Sequence, residues 1–132
     1  MSKYEGLPAI AAIATPNGTG AIAIVRLSGN NSLSIASEVF RSKVPLNQAP
    51  PRQVVLGKIV DRNGKILDTA LAVRFAEPAS YTGEDMVEIS CHGGPLLVSR
   101  VLELLLTAGA RLAEPGEFTL RAFLNGKLDL TQ

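Results

Sequence analysis

Two Asn-Gly dipeptides, each set between apolar runs, limit what this chain can fold into more than any other feature. The runs PAIAAIAT (8–15) and GAIAIVRLS (20–28) flank Asn17-Gly18, and VVLGKIVD and ILDTALAVRF flank Asn63-Gly64. Asn-Gly supplies the positive φ angles of a tight turn, so each pair reads as two strands, the second as a clear hairpin. Hairpins are antiparallel, which argues against a doubly wound parallel sheet. In the second hairpin Leu67, Thr69, Leu71, Val73 and Phe75 share one face and Asp68 and Arg74 the other, at a period of two.

The intervening segments carry helical spacing. Asn30, Asn31 and Ser32 offer N-caps, and Leu33, Ala36 and Phe40 with Ile35 and Val39 form a helical stripe. Residues 44–52, VPLNQAPPR, are a proline-rich connection. Glu84 to Cys91 reads as a strand, after which Gly93-Gly94-Pro95 opens a long helix with proline suited to its first turn. Ser99, Arg100, Glu103 and Thr107 make a polar stripe on it. The remaining positions are apolar over an arc wide enough to be covered by the sheet and by something more. Gly109 ends this helix, ARLA (110–113) offers a short last strand, and a short helix begins near Thr119. Asn125-Gly126 stops that helix, and KLDLTQ opens another. The expected fold is α+β, a mixed or antiparallel sheet of five to six strands packed with two main helices.

With 132 residues, 46% of them hydrophobic, the chain has the size of one domain with a real core. Thirteen Lys and Arg against twelve Asp and Glu leave a formal charge of +1, which argues against RNA binding by this chain alone while leaving a local patch open. A single cysteine cannot form an internal disulfide and is consistent with a reducing compartment. The apolar start, LPAIAAIA, is too short for a membrane span and is followed at once by TPNGTG. A cytoplasmic location without membrane association is the expectation.

The densest chemistry lies in YTGEDMVEISCHGGP (81–95). Cys91 and His92 suggest a thiol–imidazole pair, but neighbours on a strand point to opposite faces, so only a bend at His92 would unite them. The plainer reading is a buried Cys91 aligned with Val87 and Ile89, and a His92 that shapes the turn. No second Cys or His exists, so a zinc site has too few ligands. The other face of the same strand carries Met86, Glu88, Ser90 and His92. A carboxylate in the middle of a covered strand needs donors, either internal, such as Arg26, or from a ligand. Arg26, on one face with Ile22 and Ile24, poses the same question, with a structural ion pair as the plain answer. No glycine-rich stretch has phosphate-loop spacing: Gly126-Lys127 is followed by Leu128, and Arg121 stands where the first glycine belongs. Gly94-Pro95 at a helix start is a weak anion signal.

Three blocks, ATPNGTGAIAIVRLSG, SYTGEDMVEISCHGGP and ARLAEPGEFTLRAFLNGKLDLTQ, closely resemble the N-terminal region of the tRNA modification GTPase family, MnmE or TrmE. They occur in the family's order and cover both ends and the centre of the chain, while residues 30–79 add little. The resemblance implies a folate-binding, aminomethyltransferase-like domain over residues 1–118, with 119–132 the start of a truncated helical domain. It also implies that this domain forms a homodimer and holds 5-formyl- or 5,10-methylene-tetrahydrofolate through three side chains, at matching positions Arg26, Glu88 and Lys127. A flavin-containing partner protein and tRNA, modified at C5 of the wobble uridine, are implied for the whole protein. GTP, magnesium and potassium are implied only for a GTPase domain that this chain lacks, as it lacks the family's C-terminal reactive cysteine.

No catalytic residue and no metal ligand is assigned in this chain, which is expected to be a non-catalytic fragment of a GTP hydrolase. A carboxylate suits the adjacent N–H and amino donors of a pterin edge, a role that falls to Glu88. Arg26 and Lys127 would hold the pterin oxygen, the formyl group or the glutamyl carboxylates. Two alternatives stand beside this. A dimerisation-only module would show Arg26 and Glu88 closed on each other. A stand-alone folate-dependent one-carbon transferase would need a general base, with Glu84, Asp85 and His92 the near candidates. Cys91 and His92 would shape the pocket, and Tyr81 or Phe118 would offer ring contacts.

Overall fold

A computed structural model describes residues 6–15 and 21–127. The Asn17-Gly18 turn and the helix expected after Lys127 lie outside the described residues. The elements run β1 (Ile10–Ile13), β2 (Ile22–Ser28), α1 (Ser32–Val39), β3 (Phe40–Ser42), a 3₁₀ turn (Leu46–Gln48), β4 (Val55–Val60), β5 (Ile66–Phe75), β6 (Met86–His92), α2 (Pro95–Thr107), β7 (Arg111–Leu112) and α3 (Glu117–Leu124). The strands form one sheet in the order β3-β4-β5-β6-β2-β1-β7. All neighbours are antiparallel except β1 and β7, so the sheet is mixed and the fold is α+β as expected.

Two differences from expectation have local causes. The seventh strand arises because the chain leaves α1 at Val39 and Phe40 pairs with Ile59 instead of extending the helical stripe. Gly57 makes this possible: a Cβ there would stand 2.4 Å from the tip of the Phe40 ring and 2.6 Å from the Arg41 carbonyl oxygen. Asn31 occupies the position before α1 without capping it. Its Oδ1 instead accepts the Ala9 N–H at 2.9 Å, tying β1 to the helix start.

Helices α1 and α2 cover one face of the sheet. Val25, Leu27, Val87 and Ile89 from the central strands meet Ile35, Ala36 and Val39 of α1 and Val98, Val101 and Leu105 of α2. On β5 it is the small residues Ala70 and Ala72 that face this core, while Leu71 points the other way and is 43% exposed. That second face is covered only at one end, by residues 76–84 and α3; elsewhere Ile22 and Leu56 stay about two-thirds exposed. Helix α2 buries a narrower stripe than its composition suggests, since Leu96 is almost wholly exposed.

The Gly57–Phe40 contact yields a direct expectation. Gly57→Ala forces the ring or the β3 backbone to move and lowers stability by about 1–3 kcal/mol, read by urea unfolding.

Candidate ligand-binding site

Strand β2 pairs with β6 so that Arg26 lies directly opposite Glu88, both on the face away from the helices. Arg26 Nε donates to Glu88 Oε2 at 2.8 Å, and Nη2 makes an ion-pair contact with the same oxygen at 2.7 Å. Oε1 of Glu88 receives no hydrogen bond from the described residues. Each side chain keeps about a quarter of its surface exposed, 28% and 25%. The rings of Tyr81 and Phe118 stand 5.9 Å and 5.8 Å from the Arg26 guanidinium carbon, within cation–π range. The two charges singled out in the sequence are therefore each other's partners here, the arrangement expected of a module without a ligand. They are also less buried than a mid-strand carboxylate under a complete cover.

The wholly buried charges are others. Glu84 and Arg121 are 0% and 1% exposed. Arg121 Nη1 donates to Glu84 Oε1 at 3.0 Å and lies 3.4 Å from Oε2. Ser28 Oγ donates to the same Oε1 at 2.8 Å and lies 2.7 Å from Thr82 Oγ1, which accepts the Glu84 N–H. From Arg121 the charges continue through Glu117, 3.5 Å away, to Arg111 on β7. Removing one partner of so buried a pair strands the other charge, a loss on the order of 3–5 kcal/mol. Neither residue is visible to a reading by apolar periodicity: Arg121 faces inward on α3 while Leu120 and Phe123 face out. The only sequence signal is the i, i+4 spacing of Glu117 and Arg121.

Lys127, the third residue singled out, follows α3 after its backbone N–H closes on the Ala122 carbonyl at 2.8 Å. It is exposed, and its ammonium has no carboxylate partner among the described residues. Its stem runs against Gly83, where a Cβ would come within 3.2 Å of the Lys127 side chain and 3.1 Å of Asn125. Gly83 has φ +82, so glycine there serves both the left-handed turn and the close passage of the chain after α3. Asn125 seals the contact by donating to the Thr82 carbonyl at 3.0 Å.

Cys91 and His92 diverge as the strand geometry requires. Cys91 is buried beside the Ala23 carbonyl, and burial pushes its thiol pKa up. His92 is exposed; its backbone N–H donates to Asp68 Oδ2 and its Nδ1 lies 2.7 Å from Asp68 Oδ1. Burial raises the Asp68 carboxyl pKa, but the two His92 bonds outweigh it and hold the group below its ordinary value. His92 borders a hollow of about 300 Å³ lined also by Ile22, Leu56, Leu71 and Ser90. Among the described residues no cluster suits a metal ion, and no helix is long and apolar enough to cross a membrane.

The family model described as "GTP-binding protein TrmE N-terminus" matches residues 9–127. The chain belongs to this family. It is 55% identical over 93% of its length to the tRNA modification GTPase MnmE of Roseiflexus sp. (strain RS-1) and 54% identical over 93% to that of Aquifex aeolicus. Against the same enzyme of Geobacillus thermodenitrificans it is 53% identical over 100%. It spans 26%, 27% and 29% of those proteins respectively, about a quarter of their length. The resemblance carried by the three sequence blocks is thus borne out at the level of the family.

The charge chain behind α3 gives a pH dependence. Burial raises the Glu117 carboxyl, but hydrogen bonds from Arg111 and from the Glu114 N–H, with the Arg111 and Arg121 charges, hold its pKa below the ordinary value. The unfolded chain therefore takes up this proton first, so the stabilisation is complete at neutral pH and is lost as pH falls through the folded-state value. Thermal melts of wild type and Glu117→Gln between about pH 6 and about pH 3 should converge as the pH drops, the variant having already lost this contribution.

Proposed function

We propose that this chain is the tetrahydrofolate-binding and homodimerisation domain of a tRNA modification GTPase. The whole protein would act in the cytoplasm with a flavin-containing partner to modify C5 of a wobble uridine, while GTP, magnesium and potassium would belong to a region outside these 132 residues. The observation that carries the ligand reading is the Arg26–Glu88 pair, about a quarter exposed, with two aromatic rings near Arg26, on the sheet face opposite α1 and α2. Both contacts of Arg26 fall on Oε2, and with no donor from the described residues on Oε1, Glu88 keeps accepting capacity there. These residues fit a flat, donor-edged ligand. Glu88 accepts from the pterin N–H and amino group, while Arg26 and the Lys127 ammonium, which has no carboxylate partner among the described residues, hold its oxygens or glutamyl carboxylates. When bound, the folate supplies the one-carbon unit; the chain's residues bind it, orient it and wall it from water.

The closed Arg26–Glu88 pair favours a second reading, a dimerisation module without a ligand. The stand-alone transferase finds less support, because its candidate bases are engaged or remote. Glu84 is locked to Arg121, and Asp85 Oδ1 accepts the Glu77 N–H at 2.8 Å. His92 lies four residues along β6 from Glu88, roughly 13 Å away. For the homodimer, the uncovered apolar surface of Ile22, Leu56 and Leu71 is a better candidate interface than the covered stripe of α2.

Calorimetric titration with 5-formyltetrahydrofolate separates the two readings. The expected result is one ligand per chain, with affinity about tenfold to a hundredfold weaker in Glu88→Gln, the loss of one charge-assisted interaction. Saturable binding left intact in the variant removes Glu88 from the site, and no binding by the wild type leaves the ligand-free module. Leu56→Asp, on an exposed position, should keep the fold and shift sedimentation from dimer to monomer; a dimer that persists rules out this face.

A further inference from the structure

We propose that the buried Glu84–Arg121 pair is a positioning device, fixing the two elements that carry the aromatic walls of the Arg26–Glu88 site. This deepens the ligand-binding reading and rests on it for one of its two readouts.

Tyr81 and Phe118 come from different elements, residues 76–84 and α3, yet stand at nearly equal distances from the Arg26 guanidinium carbon. One carboxylate oxygen touches both of these elements and β2, beside the Ser28–Thr82 hydroxyl contact. Oε1 of Glu84 is held by Ser28 Oγ, two residues beyond Arg26 on the same face of β2, and by Arg121 Nη1 from α3. Phe118 lies three residues before Arg121 and so shares its face of α3, while Tyr81 lies three residues before Glu84 in the segment that carries both. The exposed Tyr81–Thr119 hydroxyl pair at 2.9 Å, the Asn125–Thr82 bond and the passage of the chain after α3 over Gly83 also connect the two elements.

Apolar packing cannot set the orientation of α3 by itself. Its buried residues are Glu117, Arg121 and Ala122, while Leu120 is half exposed and Phe123 is 37% exposed. A helix docked by greasy contact tolerates rotation and sliding, whereas a guanidinium held on a fixed carboxylate does not. A buried ion pair is weak evidence for stability, since apolar residues of similar volume often replace it without loss. Its consequence here is angular: it decides where the rings sit around Arg26.

The test is therefore the double variant Glu84→Gln/Arg121→Met, which removes both charges and leaves neither stranded. Two measurements on the folded protein are compared with wild type. The first is the Arg26 side-chain Nε–H resonance, which the two rings displace by their ring currents and which needs no ligand. The second is the calorimetric affinity for 5-formyltetrahydrofolate. The expected result is a cooperative thermal transition, an Arg26 resonance moved toward its random-coil position, and affinity weakened about tenfold or more. Arg121→Lys, which keeps the charge but not the fork, should fall between. An Arg26 resonance unchanged in the folded double variant overturns the proposal, whatever the affinity. If the double variant does not fold, the same comparison in Arg121→Lys decides. If wild type binds no folate, the ligand reading falls, while the resonance still decides whether the pair positions the rings.

Discussion

The register of β2 against β6 is the constraint on which the rest of the structure depends. It sets Arg26 opposite Glu88 and, in the same ladder, Val25 opposite Ile89 and Leu27 opposite Val87. Because side chains alternate along a strand, a one-residue slip of β2 would turn Val25 and Leu27 to solvent and drive Arg26 under the helices, away from Glu88. The hydrophobic core and the charged site are thus specified by one alignment. Burial of Val25, Leu27, Val87 and Ile89, all 0% exposed, holds the register that the ion pair alone could not.

The second support is electrostatic and lies behind the site. Arg111, Glu117, Arg121 and Glu84 form a line of alternating charge from the sheet edge at β7 through α3 to the segment before β6. Its members are progressively more buried, ending at a carboxylate with no exposed surface that also receives Ser28. In such surroundings each charge is tolerable only with its neighbours in place, so the line acts as a unit. Arg26 and Glu88, by contrast, remain partly wet beside it. On the proposed ligand-binding reading, that division between a dry scaffold and a wetter pair would let the pair exchange partners with a ligand.

Much of this was legible in the chain because period-two patterns dominate it. The hairpin around Asn63-Gly64, the strand ending in Cys91-His92, the long helix at Pro95 and the short ARLA strand all carry local signals that tertiary packing does not override. The three resembling blocks led to the family. Phe40 fits the stripe of α1, and only the vacancy at Gly57 draws it into a strand, a contact between residues 17 positions apart that no local pattern encodes. The outward turn of Leu71 and the burial of Ala70 and Ala72 invert the usual size rule, and apolar size alone therefore misplaces the buried face of β5. Arg121 was invisible for a sharper reason. A hydrophobic pattern places arginine outside, and only the position of Glu84 in three dimensions brings it in. Arg26 and Glu88 stood out as charges on apolar strands, but their mutual pairing follows from a register between segments more than 60 residues apart.

The central claim is that Arg26 and Glu88 form the floor of a folate site and not a closed structural bridge. A crystal structure of the protein grown with 5-formyltetrahydrofolate tests it most directly. The account predicts the pterin edge on the Glu88 carboxylate, between Tyr81 and Phe118, with Arg26 turned toward a ligand oxygen. An undisturbed Arg26–Glu88 bridge, with the folate absent or bound elsewhere, would contradict it.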